Sequence, residues 1–306
     1  MVRKLYGETL TLSLLFAGVR ALFNYITVTN LNFTHYPEFL MRMNKINDSP
    51  LPHFVALLAD GSLFNLTLLG EAVMVVLSLM VWQVTKSRFA FIFLNIAPLA
   101  LGLNIEVLGF GFLDDYLGML FFTAAIVAFE RRTAVRGVNL TYLFTVLTML
   151  SHMVPTLFLI MFFAIRWRRD WRPPAFITVL IIPIIFTGLL GYSYKISQVL
   201  TSGLVLNPLT YTLKLFPLLT QLFNYTWPAA YYLNWIMFIS LGLFFGFILI
   251  IRGRNLFTPV VFLSVLPFIL PFDAGFGPHS LLWRLSWMNI VIIPLLFLRT
   301  SDVIVK

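Results

Sequence analysis

Cysteine is absent from this 306-residue chain, which excludes a disulfide framework, a thiolate metal site and a catalytic thiol. Charge is scarce: Asp, Glu, Lys and Arg together make up 11% of the residues, far below the quarter or so that a soluble domain carries. Gly-rich phosphate loops, HExxH and GxSxG stretches are missing, so soluble nucleotide chemistry has no visible home. No internal repeat or low-complexity tract is evident, which weighs against a transporter built from two similar halves.

What is present is apolar. Hydrophobic residues make up 60% of the chain and the mean hydropathy is +0.92, the composition of an all-α, polytopic membrane protein. Nothing outside the apolar runs is long enough for a separate soluble domain, so residues 1–306 are read as one transmembrane domain. A span takes about 20 apolar residues; the candidates are 9–29, 61–82, 89–103, 116–129, 174–194, 229–251, 256–271 and 281–298. The first lacks a small-residue cleavage site and is read as a retained helix rather than a signal peptide. Residues 139–165 are too long for one simple span and are broken by Ser151, His152 and Pro155. Because proline removes a backbone donor and clashes with the turn before it, this stretch is expected to form a short helical hairpin that dips in and returns.

Charge placement sets the orientation. With the N-terminus inside, 15 of the 21 basic residues fall on cytoplasmic segments and only Arg42, Lys45, Lys195 and Lys214 outside, while Arg20 and Arg284 lie within spans. That asymmetry follows the positive-inside rule, puts both termini in the cytoplasm, and points to the plasma membrane. It also accounts for the net charge of +9 without a nucleic-acid partner. It holds only if 139–165 begins and ends on one side, since a single crossing there would misplace ERRTAVR or RWRRDWR. Seven of the twelve acidic residues and His35, His53 and His279 then lie outside, with His152 at the hairpin tip. Any chemistry is expected on that face. The 195–228 segment, mostly apolar with Pro208 and Pro217, suits helices lying along the outer membrane surface.

Five groups of residues stand out. In HYPEF of the 30–60 loop, His35 and Glu38 are three apart and share a helical face, with Pro37 in the first turn. Glu38 then serves as a base with His35 orienting the acceptor or helping to bind a metal, or the stretch is a capped, solvated interfacial helix with Glu38 near its N-terminus. Asp114 and Asp115 in GFGFLDDYLG either bind Mg²⁺ or Mn²⁺ or sit favourably at a helix N-terminus, with Glu106 close by in sequence. Arg284, about one turn into the last span, can snorkel outward to a phosphate, with His279 beside it, or pair with Asp273. Arg20 and Glu71 lie at similar depth in the first two spans and are expected to form a structural intramembrane ion pair. His152 is either a ligand at the hairpin tip or a ring bonded to a carbonyl that Pro155 frees. NFT, NDS and NYT tripeptides on outside segments match the glycosylation pattern, which recurs by chance.

The order of these features resembles the GT-C class of integral membrane glycosyltransferases. A first span leads to an external loop with His and acidic residues. A DD-bearing outer turn, a hairpin reading LTMLSHMVPTLFL and an Arg near the outer end of a late span follow. The resemblance implies a membrane glycosyltransferase that moves a sugar from a polyprenyl-phosphate donor, sometimes with a divalent metal, to an acceptor on the non-cytoplasmic face. It makes Glu38 the loop acid, with His35 beside it, and Arg284 or His279 the contact to the donor phosphate. The chain departs from the class in having HxxE where many members carry paired acids, in carrying no soluble stretch after its last span, and in being short. The other readings are a non-catalytic membrane subunit of a larger assembly, with membrane-protein partners, and, third, a transporter.

Overall fold

The computed structural model describes residues 2–30, 49–100, 112–130, 135–167, 205–206, 272–273 and 288–298. Helices dominate these residues: α1 (Val2–Asn30), α2 (Pro50–Leu58), α3 (Leu63–Thr85), α4 (Arg88–Ala100), α5 (Phe112–Glu130), α6 (Val135–Ser151), α7 (Met153–Trp167) and α8 (Asn289–Leu295). An antiparallel pair of two-residue strands, β1 (Val205–Leu206) and β2 (Phe272–Asp273), sets Val205 opposite Asp273. The spans expected at 174–194, 229–251 and 256–271, and the first part of 281–298, up to residue 287, lie outside the described residues. One described helix, α3, is long and apolar enough to cross a membrane.

Local signals explain the start of α3. Proline at its start favours α2, whose arriving chain needs no N–H there. Asp60 and Gly61 then take left-handed backbone conformations at φ 58° and 59°, a turn that asparagine-like and glycine residues tolerate best. Ser62 caps α3 by accepting the Asn65 N–H at 3.1 Å, and the Asn65 amide donates back to the Ala59 carbonyl at 3.0 Å. Lys86, left-handed at φ 51°, ends α3, and the chain folds directly back as α4.

Contacts along the helices fix their directions. Phe16 meets Phe91 and Arg20 reaches Asn95, so α1 and α4 run parallel. Trp82 meets Phe91 and Ser78 reaches Asn95, so α3 runs against α4. On α5, Asp115 meets His152 and Phe121 stacks on Phe144, so α6 runs against it. Gly118 lies against Pro155 and Phe129 against Phe162 and Phe163, so α7 runs with α5. The chain therefore reverses at His152, a single residue between α6 and α7, where a hairpin was expected over 139–165. Helix α8 packs chiefly on α4, and the Phe297 to Phe89 contact makes it antiparallel.

The buried stripes of α1, α3 and α6 carry polar residues beside apolar ones, and their exposed faces are largely apolar. On α1, Thr9, Ser13, Ala17 and Arg20 face inward while Leu10, Leu12, Leu14, Leu15, Val19 and Leu22 face out. On α3, Thr67, Glu71, Met74, Ser78, Val81 and Thr85 form an inward stripe, and Phe64, Leu68 and Val76 are exposed. On α6 the inward residues are Thr141, Thr145, Thr148 and Ser151, against exposed Leu140 and Leu143. A helix in water turns the other way round. The hydroxyls satisfy themselves by bonding back to the carbonyl four residues earlier, as Thr67, Thr85, Thr145, Thr148 and Ser151 all do.

Close approach at the hairpin depends on Gly118. A Cβ there would lie 2.8 Å from Pro155 Cγ and 3.2 Å from His152 Cβ, and a proline ring cannot swing aside. Gly118→Ala is therefore expected to lower unfolding stability in detergent micelles by about 1–3 kcal/mol. Gly18→Ala on α1, where a Cβ meets nothing within 4 Å, is expected to be neutral or to stabilise by up to about 1 kcal/mol through helix propensity. Thermal unfolding of both variants checks the contrast.

Candidate functional site

Two buried polar clusters lie on the seam between these helices. The first is built on Arg20, which is 0% exposed. Its Nε donates to Glu71 Oε2 at 2.8 Å, and its Nη1 donates to the Asn95 carbonyl oxygen at 3.1 Å and to Asn95 Oδ1 at 2.9 Å. Asn95 is fixed in turn, its Nδ2 donating to the Phe91 carbonyl at 2.8 Å while Oδ1 also accepts from Ser78 Oγ at 3.0 Å. Three helices, α1, α3 and α4, thus share one guanidinium. Its remaining arm, Nη2, is buried with no hydrogen-bond partner among the described residues.

Arg20 and Glu71 therefore occupy the arrangement that their depth in the sequence suggested. Asn95 and Ser78 were not singled out, although Ser78 lies two turns beyond Glu71 on the same face of α3, the one signal that could have found it.

The second cluster forms where α5 begins and α6 gives way to α7. Asp114 and Asp115 fall in the first turn of α5, where the exposed N–H groups of the helix favour negative charge. Both are buried, at 0% and 2% exposure, rather than displayed on an outer surface. Asp115 Oδ1 lies 3.2 Å from His152 Nδ1. The same nitrogen accepts the backbone N–H of Val154 at 3.3 Å, so His152 caps the first turn of α7. One of the two readings of His152 had its ring bond a carbonyl freed by Pro155. It bonds an amide instead, because a helix start leaves N–H groups without intrahelical partners.

Tyr116, next to Asp115 and 1% exposed, joins the two clusters: it lies within electrostatic range of Glu71 and Arg20 as well as of Asp115. His53, placed by sequence in a polar loop, is buried on α2, which packs against α5 and α6.

The Mg²⁺ or Mn²⁺ reading of Asp114 and Asp115 fits poorly here. Neighbours in a helix point about 100° apart, and among the described residues no three His, Asp or Glu side chains converge to hold a metal. Glu38, His35, Arg284, His279 and Glu106 lie outside the described residues. Comparison of the chain with protein-family models, curated proteins and solved structures gives no match.

The first cluster makes a direct prediction. Arg20→Met leaves Glu71 buried without its cation and is expected to cost about 3–5 kcal/mol, whereas the Arg20→Met/Glu71→Met double variant recovers most of that loss. A double-mutant cycle by denaturant unfolding in micelles measures the coupling; equal losses in the single and double variants would show that the two charges do not act as a pair.

Proposed function

We propose that the chain is a multi-pass integral membrane protein that works as a GT-C-type glycosyltransferase, moving a sugar from a polyprenyl-phosphate donor to an acceptor on the non-cytoplasmic face. Its membrane setting is supported by helices that turn Thr, Ser, Glu and Arg inward and Leu, Phe and Val outward, the arrangement a lipid solvent favours. The transferase reading rests on one observation above all. Two of the stretches that carry the resemblance, LDDYLG and LSHMVP, lie against each other through the Asp115–His152 and Gly118–Pro155 contacts.

In this reading Glu38, assisted by His35, takes the proton of an acceptor hydroxyl as its oxygen attacks the anomeric carbon. The bond to the polyprenyl phosphate breaks, and Arg284 with His279 meets the charge left on the phosphate. Both termini lie in the cytoplasm, as the basic clusters favour. A polyprenyl tail dissolves in the bilayer, so its headgroup is delivered to this face without leaving the lipid.

A second reading, a non-catalytic membrane subunit, draws support from the Arg20 cluster, which is spent on joining α1, α3 and α4. The two separate in liposomes containing the full-length protein and a polyprenyl-phosphate sugar. The transferase reading expects Glu38→Gln to cut sugar transfer by about 10²- to 10⁴-fold while the folded protein is still recovered. Transfer unchanged in both Glu38→Gln and Arg284→Gln overturns it in favour of the subunit.

A further inference from the structure

His152 Nδ1 is asked to meet two partners that require opposite states of it. To accept the Val154 N–H at 3.3 Å it must present a lone pair. To bond an ionised Asp115 at 3.2 Å it must carry a proton. A neutral, unprotonated Nδ1 facing a carboxylate would set two acceptors in contact, inside a packed site where neither is reached by water.

Two arrangements of these partners relieve this. In one, Asp115 holds the proton and donates it to Nδ1, which also receives the Val154 N–H as a weaker second donor, and α7 stays capped. In the other, Nδ1 holds the proton and donates it to the Asp115 carboxylate, and the Val154 N–H loses its acceptor. Movement of one proton between Oδ1 and Nδ1 exchanges the two without changing the total charge. Uptake of a proton by the pair when Asp115 is already neutral leaves the imidazolium only the second role.

From this geometry we infer that Asp115 and His152 form a proton-binding site built into the hairpin, and that its occupancy sets whether the first turn of α7 is capped. The device is independent of the transferase reading, since it uses neither Glu38 nor Arg284.

The surroundings suit a local switch. The ionisable groups nearest to it on the surrounding elements are Asp114 and Tyr116 on α5, His53 on α2, Glu71 on α3 with its partner Arg20 on α1, and Tyr142 on α6; Glu130, Arg136 and Arg166 lie at the opposite ends of α5, α6 and α7. The backbone on either side is anchored, His152 N–H donating to the Thr148 carbonyl at 3.1 Å and Thr156 Oγ1 donating to the His152 carbonyl at 2.8 Å. Loss of the cap therefore loosens one turn, Met153 to Thr156, rather than the whole hairpin. Pro155 concentrates the effect, because it has no N–H of its own to share the task.

The test is amide hydrogen exchange on the full-length protein in nanodiscs, read at peptides covering 152–158 and corrected for the intrinsic pH dependence of exchange. Between pH 7.5 and pH 5, where an imidazole gains its proton, protection of the wild-type segment is expected to fall about tenfold, the worth of one hydrogen bond. In His152→Asn the amide oxygen still caps Val154 but cannot ionise, so protection is expected to be high and flat across that range. ¹⁵N-histidine spectra, with the His152 signal assigned by its loss in His152→Asn, are expected to show its titration displaced in Asp115→Asn. The proposal is overturned if wild-type protection does not change with pH, if His152→Asn shows the same fall as wild type, or if Asp115→Asn leaves the His152 titration where it was.

Discussion

Every polar group on these helices has to find its partner inside the protein, because the surface around them is apolar. That constraint explains the repeated bonding of Ser and Thr hydroxyls to their own helix, which leaves each facing residue compact and already satisfied. It also explains why charge appears on the seam only in company. Arg20 reaches Glu71 and Asn95, and Asp115 reaches His152. In a lipid setting there is no gain from hiding hydrocarbon among hydrocarbon, and association of such helices would depend on close packing and internal hydrogen bonds. The Arg20 cluster supplies the bonds for α1, α3 and α4; Gly118 supplies the close approach for α5 and the hairpin.

Helix α5 is the element through which these two halves communicate. Its buried residues run almost all the way round, from Leu113 to Ile126, because α3 covers it on one side and the arms of the hairpin cover it on others. Three successive residues divide the work: Asp114 and Asp115 at the turn that meets the hairpin, and Tyr116 within the field of Arg20 and Glu71. A helix this enclosed cannot shift alone.

Much of this organisation was legible in the sequence. Apolar runs located α3, α4 and α5 to within a few residues and the end of α1, whose first turns precede the run, and Ser151, His152 and Pro155 marked the interruption between α6 and α7. Opposite charges at matching depth pointed to Arg20 and Glu71, because a lone charge in hydrocarbon is costly enough to demand a partner. What was not legible is equally physical. The sequence pattern for a span is apolar all round, so it does not tell which face turns inward; Asn95 and Tyr116 gain their importance only from which helix lies opposite. Likewise α2 escaped notice because its signal, prolines beside a short apolar stretch in a polar loop, is also the signal of a turn. His53 consequently read as a solvated loop residue and is in fact covered.

The two polar clusters solve one electrostatic problem in different ways, and the difference separates scaffold from switch. Arginine remains protonated at any pH the protein meets, so the Arg20 fork keeps its proton and its direction, and the three helices it joins stay joined. Histidine and aspartate can each give the proton up, and at 3.2 Å they can pass it between them. Replacing that pair with an arginine and a glutamate would hold the hairpin to α5 just as well, but the cap on α7 would no longer answer to a proton. The titratable pair lies at the chain reversal, where one amide decides the order of a turn. The permanent charge lies among the long helices, where nothing needs to move.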